Sequence, residues 1–156
     1  MKPMKAMPCT YRTGYMDSAV NRLEEVIEDA QRDLHKRNFD TLVGTGLSGT
    51  VVVPALALAM GKNFAIVRKE DDGSHHGGGQ IVGTIGNRWL FVDDLVSSGR
   101  TRQYVIDKVA EACTHGYHKN HRTASFVGEY LYTWRTQMTG TEVRAAQKRL
   151  REAYNY

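Results

Sequence analysis

Cysteine is nearly absent from this 156-residue chain, which carries only Cys9 and Cys113. Two cysteines so far apart build neither a disulfide framework nor a CxxC metal motif, so a reduced, cytoplasmic protein is expected. Long apolar runs are missing too, and nothing approaches the roughly 20 residues of a membrane span. Met1 to Lys5 has no apolar stretch behind it, so no secretion signal is expected. Internal repeats and low-complexity tracts are likewise lacking. What is present is ordinary for a globular protein: 41% hydrophobic and 24% charged residues. The length suits one domain able to bury a core. A net charge of +4 and a pI near 9.1 suit an anionic substrate or nucleic acid equally well.

Residues 1–16 show no periodicity and are expected to form a loose arm. Val20, Leu23, Ile27, Ala30 and Leu34 then recur at helical spacing, predicting an amphipathic helix from Asp17 to about Lys36 with Asp17 or Ser18 as its cap. Thr41 to Val43 reads as a strand closed by the Gly-rich turn from Gly44 to Gly49. Val51 to Met60 is too long an apolar run for a typical strand and predicts a buried helix ending at Gly61, with Pro54 tolerable only near its first turn. Phe64 to Val67 is a second strand. Asp71 to Gly79 holds nothing apolar and predicts a mobile loop. Ile81 to Gly83 and Trp89 to Val92 are strands joined by a turn at Gly86-Asn87. Arg102 to Cys113 is a helix stopped by Gly116, Thr123 to Val127 a late strand, and a basic helix follows from about Glu142. This alternation predicts an α/β fold with a mostly parallel sheet flanked by helices.

The chemistry concentrates in Leu90 to Thr101. An apolar strand delivers Asp93 and Asp94 to its carboxyl end, where open α/β sheets bind ligands. Neighbouring carboxylates there can accept hydrogen bonds from a vicinal diol, directly or through a metal. A Ser-Ser-Gly-Arg-Thr loop follows and opens into a helix, so its amides, hydroxyls and positive helix end favour a phosphate. Acids for a ribose diol beside a nest for its phosphate describe a ribose-5-phosphate site. Either piece alone is explained as readily by a polar strand exit and a helix cap; their junction at this spacing carries the reading.

This segment resembles the phosphoribosyl-pyrophosphate (PRPP) signature of type I phosphoribosyltransferases, and the likeness extends from about Asp40 to Val109. It implies a single domain over residues 1–156, with a core at about 38–128 and a small hood from 1–37 and 129–156. Asp93 and Asp94 would take the ribose hydroxyls and Mg²⁺, and Ser97, Ser98, Gly99, Arg100 and Thr101 the 5-phosphate. Thr45, Gly46, Leu47 and Ser48, with Gly49, resemble the family's pyrophosphate loop. Arg68 and Lys69, followed by His75 and the run Gly78 to Gly83, resemble orotate phosphoribosyltransferases, in which an Arg-Lys pair contacts pyrophosphate and a loop lysine and histidine reach across a dimer. His75 aligns with that histidine, whereas Asp71, Asp72 and Gly73 stand where the loop lysine would be, in a loop one residue longer. Ser97 replaces the acid that hypoxanthine-type enzymes carry.

The resemblance implies transfer of ribose 5-phosphate from PRPP to a nucleobase (orotate or a related pyrimidine, or a purine), with Asp93, Asp94, Lys69 and His75 catalytic and Mg²⁺ as cofactor. It also implies a homodimer; a membrane partner is not expected, and a nucleic-acid partner is disfavoured. A second reading is a PRPP- or nucleotide-binding regulator, which a missing loop lysine favours and which could engage RNA through Arg144, Lys148, Arg149 and Arg151. A third is a hydrolase that uses water as acceptor. Among weaker signals, His115, His118 and His121 with Cys113 are read as a polar turn rather than a metal site, because Gly116 breaks their helix. Tyr130, Tyr132 and Trp134 alternate in a way that suits either base stacking or strand packing.

Overall fold

The computed structural model describes residues 23–69, 79–94, 96, 98–115 and 123–132. The first helix, α1 (Leu23–Leu34), buries Val26, Ala30 and Leu34, one residue per turn on a single face. Glu24 and Glu25 sit in its first turn and Arg32 in its last, matching the helix dipole at both ends. The helix start expected at Asp17 lies outside the described residues.

Strand β1 (Thr41–Thr45) is buried along its whole length. It runs two residues beyond the expected end at Val43, and helix α2 (Gly46–Met60) begins directly after it instead of at Val51. The Gly-rich stretch is thus a strand end and a first helical turn rather than an open turn. Close backbone approach explains this. A Cβ on Gly44 would meet Val53 Cγ2 at 2.6 Å and Gly49 Cα at 3.3 Å, so bare backbone at 44 lets α2 rest against the strand. Pro54 lies inside α2 rather than in its first turn, which leaves the Thr50 carbonyl without its usual helical donor. Gly61 ends the helix as expected, left-handed at φ 62°, with Lys62 N–H donating to Ala57 O at 2.9 Å.

Strands β2 (Asn63–Val67), β3 (Ile81–Gly83) and β4 (Arg88–Asp93) precede helix α3 (Arg100–His115), and β5 (Ser125–Leu131) closes the described chain. The sheet order is β3-β2-β1-β4-β5, parallel except for β3, which pairs antiparallel with β2 at one edge. β5 begins and ends later than the expected Thr123–Val127. Gly128 and Glu129 interrupt its apolar pattern, but pairing of Phe91 with Glu129, Val92 with Tyr130 and Asp93 with Leu131 carries the strand through them.

Two cores separate across the sheet. Leu42, Leu90 and Val92 pack with α1 and α2 residues Val26, Ala30, Val52, Val53 and Leu56 on one face. Val43, Ala65, Val67, Trp89 and Phe91 pack with Val105 and Val109 of α3 on the other. From the central pair, β1 therefore crosses to β2 over one face, while β4 crosses to β5 over the opposite face. The connections diverge between the carboxyl ends of β1 and β4, the crevice where sheets of this kind bind ligands. Tyr130 and Tyr132 belong to the first core, so strand packing accounts for their alternation. Trp134, His118, His121 and the basic helix from Glu142 lie outside the described residues. Among those described, no helix is long and apolar enough to cross a membrane, and no three His, Cys, Asp or Glu side chains group to hold a metal.

Candidate functional site

Four parallel strands end at one edge of the sheet. Thr45 pairs with Val67 in β2, and Asp93 pairs with Leu131 in β5. The residues just past these ends are Gly46 to Ser48, Arg68 and Lys69, Asp94, and Tyr132. The sequence therefore brings its candidates together by strand register, since each acid, base or glycine follows an apolar run that pins it at the same height.

Asp93 is buried, with 8% of its surface exposed, and its Oδ1 accepts the Asp94 N–H at 2.9 Å. Burial first, and the Asp94 charge second, push the Asp93 carboxyl up to about 7, while the Lys69 ammonium pulls in the opposite direction. Two neighbouring acids beside one lysine form a site that gains from further positive charge.

Thr45 spends its hydroxyl on Val67 O at 2.6 Å, so it makes no side-chain cap for α2. The first amides of α2 are left without that cap, which suits them to an anion. Leu47 stands 66% exposed in that turn, and Ser48 is half-buried. Arg68 is held through its backbone from two sides. Its N–H donates to Gln80 O at 2.8 Å, and its carbonyl accepts the Tyr104 hydroxyl at 2.8 Å. Lys69 leans back over Gly46: a Cβ on that glycine would meet Lys69 Nζ at 3.5 Å.

On the other side of the crevice, Ser98 and Gly99 lead into α3. Gln103 N–H donates to Gly99 O at 2.9 Å, and Arg100 N–H reaches Ser98 Oγ at 3.4 Å. Arg100 and Thr101 are exposed in the first turn. Ser97 and His75 lie outside the described residues.

Two contributors escaped the sequence reading. Tyr104 looked like one more residue of an amphipathic helix, and nothing local marks it as the clamp on Arg68. Tyr132 drew notice only as part of an aromatic alternation, yet its backbone N–H donates to Asp93 O at 3.0 Å and its ring lies beside the site.

No protein-family model matches the chain. It is 33% identical over 81 residues to the orotate phosphoribosyltransferase of Methanoculleus marisnigri, covering 51% of this chain and 46% of that protein. It is 31% identical over 107 residues to the transcriptional regulator GfcR of Methanocaldococcus jannaschii, covering 62% and 50%. The chain spans about half the length of these curated relatives. Among solved structures, the orotate phosphoribosyltransferase of Francisella tularensis superposes with a TM-score of 0.52 at 16% identity, covering 92% of this chain and 64% of that one. The architecture is the type I phosphoribosyltransferase fold. In sequence the chain is similar to phosphoribosyltransferases, orotate-type proteins among them, over about half its length.

Proposed function

We propose that this chain transfers ribose 5-phosphate from PRPP to a nucleobase and releases pyrophosphate. The observation that carries the reading is the convergence on one sheet edge of Asp93 and Asp94, the uncapped start of α2, Arg68-Lys69 and the Ser98–Thr101 turn. In this reading Asp93 and Asp94 hold the ribose hydroxyls, and the Ser98–Thr101 turn, with Ser97, holds the 5-phosphate. Thr45 to Ser48 receive the pyrophosphate.

Loss of pyrophosphate builds positive charge at the ribose C1 and negative charge on the departing group. Lys69, Arg68 and the α2 amides gather at the end where that anion departs and stabilise it. His75 donates a proton to it, a role for which imidazole is the usual side chain. The carboxylate pair also fits Mg²⁺. The described residues offer two acids and no third ligand, which suits an ion that keeps water and substrate oxygens in its shell. Bound there, Mg²⁺ would neutralise the acids and the diphosphate together. A homodimer forms part of the proposal, following the orotate-type resemblance of the segment around His75.

A second reading has one specific support: a transcriptional regulator stands among the relatives. It would use the same PRPP pocket with little or no transfer. Incubation with PRPP, Mg²⁺ and a panel of purine and pyrimidine bases, with release of pyrophosphate measured, separates the two. Base-dependent release supports the transferase. Tight PRPP binding with no release for any base supports the regulator, and release without a base supports the hydrolase.

A further inference from the structure

The Tyr132 hydroxyl is a polar atom in the wrong company. The residue is 6% exposed and packs in the apolar core with Val52, Val53 and Tyr130. Its Oη is fully buried and has no hydrogen-bond partner among the described residues. Such an orphan is destabilising, and phenylalanine would fill the same space without that cost. Ser48, in the first turn of α2, is the side chain that opposes the upward push burial gives the phenol pKa, yet it falls short of a formed bond. Asp94 and Asp93 also act on the ring, and their charges disfavour a phenolate, so Oη keeps its proton. The other end of the residue is anchored, through its N–H, to Asp93 O.

We propose that Tyr132 is a positioning residue that latches the Gly-rich turn: when an anion occupies the turn, Oη donates a hydrogen bond to Ser48 Oγ, turning the serine proton toward the anion and tying the turn to the acidic strand end. A serine hydroxyl has one proton and two lone pairs, so accepting from Tyr132 leaves its own proton free to donate. Donation along such a chain also strengthens each bond in it. The latch rests on the reading that the turn from Gly46 to Ser48 receives pyrophosphate.

The test is calorimetric titration of Mg²⁺-pyrophosphate and of PRPP into the wild-type chain, Tyr132→Phe, Ser48→Ala and the double variant, with thermal unfolding of each alone. Tyr132→Phe should unfold no lower than wild type yet bind pyrophosphate roughly 2- to 10-fold more weakly, the worth of one hydrogen bond. Ser48→Ala should weaken binding as well, and the double variant should bind no worse than the weaker single. Wild-type binding with unchanged affinity in Tyr132→Phe, or additive losses in the double variant, overturns the latch alone. Absence of binding by the wild type overturns the proposed function and the latch with it.

Discussion

Lys69 lies across Gly46, so that a Cβ on the glycine would meet Lys69 Cε at 3.4 Å and Nζ at 3.5 Å. The contact joins the end of β2 to the first turn of α2, two segments 23 positions apart in sequence. Gly46 is also left-handed, at φ 68°. Gly46→Ala should therefore cost about 1–2 kcal/mol in urea denaturation through its strained backbone, while the added methyl meets Lys69 only at ordinary contact distance. Lys69→Ala, which removes the charge itself, should lower pyrophosphate affinity on the order of tenfold, for loss of one charged contact. A Lys69→Ala variant that keeps its affinity would separate the lysine from the turn.

The raised pKa of Asp93 sets a pH dependence of stability. Between the ordinary carboxylate value near 4 and about 7, the folded chain keeps a proton that the unfolded chain has released. Stability due to this group is therefore greatest at low pH, declines as pH rises through that window, and levels off above about 7. Asp93→Asn should remove the decline and unfold at a higher temperature than wild type at pH 8, with the gap closing toward pH 4. Thermal unfolding at four or five pH values between 4 and 8 measures this.

At the opposite end of the sheet, Asp40 ties β1 to the turn before β4. Its carboxylate accepts the Thr41 hydroxyl at 2.6 Å and the backbone N–H groups of Asn87 at 2.8 Å and Arg88 at 3.1 Å. Burial pushes its pKa up, but these bonds and the Lys62 charge leave it below the ordinary value. Asp40→Ala should cost about 1–3 kcal/mol near neutral pH, by removing hydrogen bonds to a charged carboxylate. The cost should shrink as pH falls through the carboxylate range, where the wild-type acid is itself protonated. Because Asp40 is remote from the crevice, PRPP affinity should stay within about twofold.

Tyr104→Phe releases the Arg68 carbonyl. A loss of about 1 kcal/mol in chemical denaturation is expected, together with weaker pyrophosphate binding, because the Arg68-Lys69 step is then held only from the β3 side. Equal pyrophosphate affinity in the variant would show that Gln80 alone fixes the pair.

Much of this arrangement was legible in the order of residues. The alternation of apolar strands and amphipathic helices gave the parallel sheet, and Asp93 after a buried run marked the carboxyl end of β4. Boundaries near glycines were not legible. Gly44 and Thr45 look like turn residues because glycine breaks apolar patterns, and only the contact of Gly44 with Gly49 and Val53 explains why they remain strand. Pro54 looked like a first-turn residue for a related reason, since nothing local shows that the helix starts at Gly46. Tyr104 was missed because it acts across the fold on Arg68, and the contact of the Tyr132 N–H with Asp93 O likewise spans a separation no local pattern encodes.

The most direct test of the ribose-phosphate site is titration of PRPP with Mg²⁺ into the wild-type chain and into Asp94→Asn. Asp94→Asn keeps the shape of the residue and removes the charge that the proposed diol and metal contacts would use. Binding by the wild type, weakened at least about tenfold in the variant as expected for a charged partner, is the predicted result. Failure of the wild type to bind PRPP, or equal binding by both, would contradict the assignment.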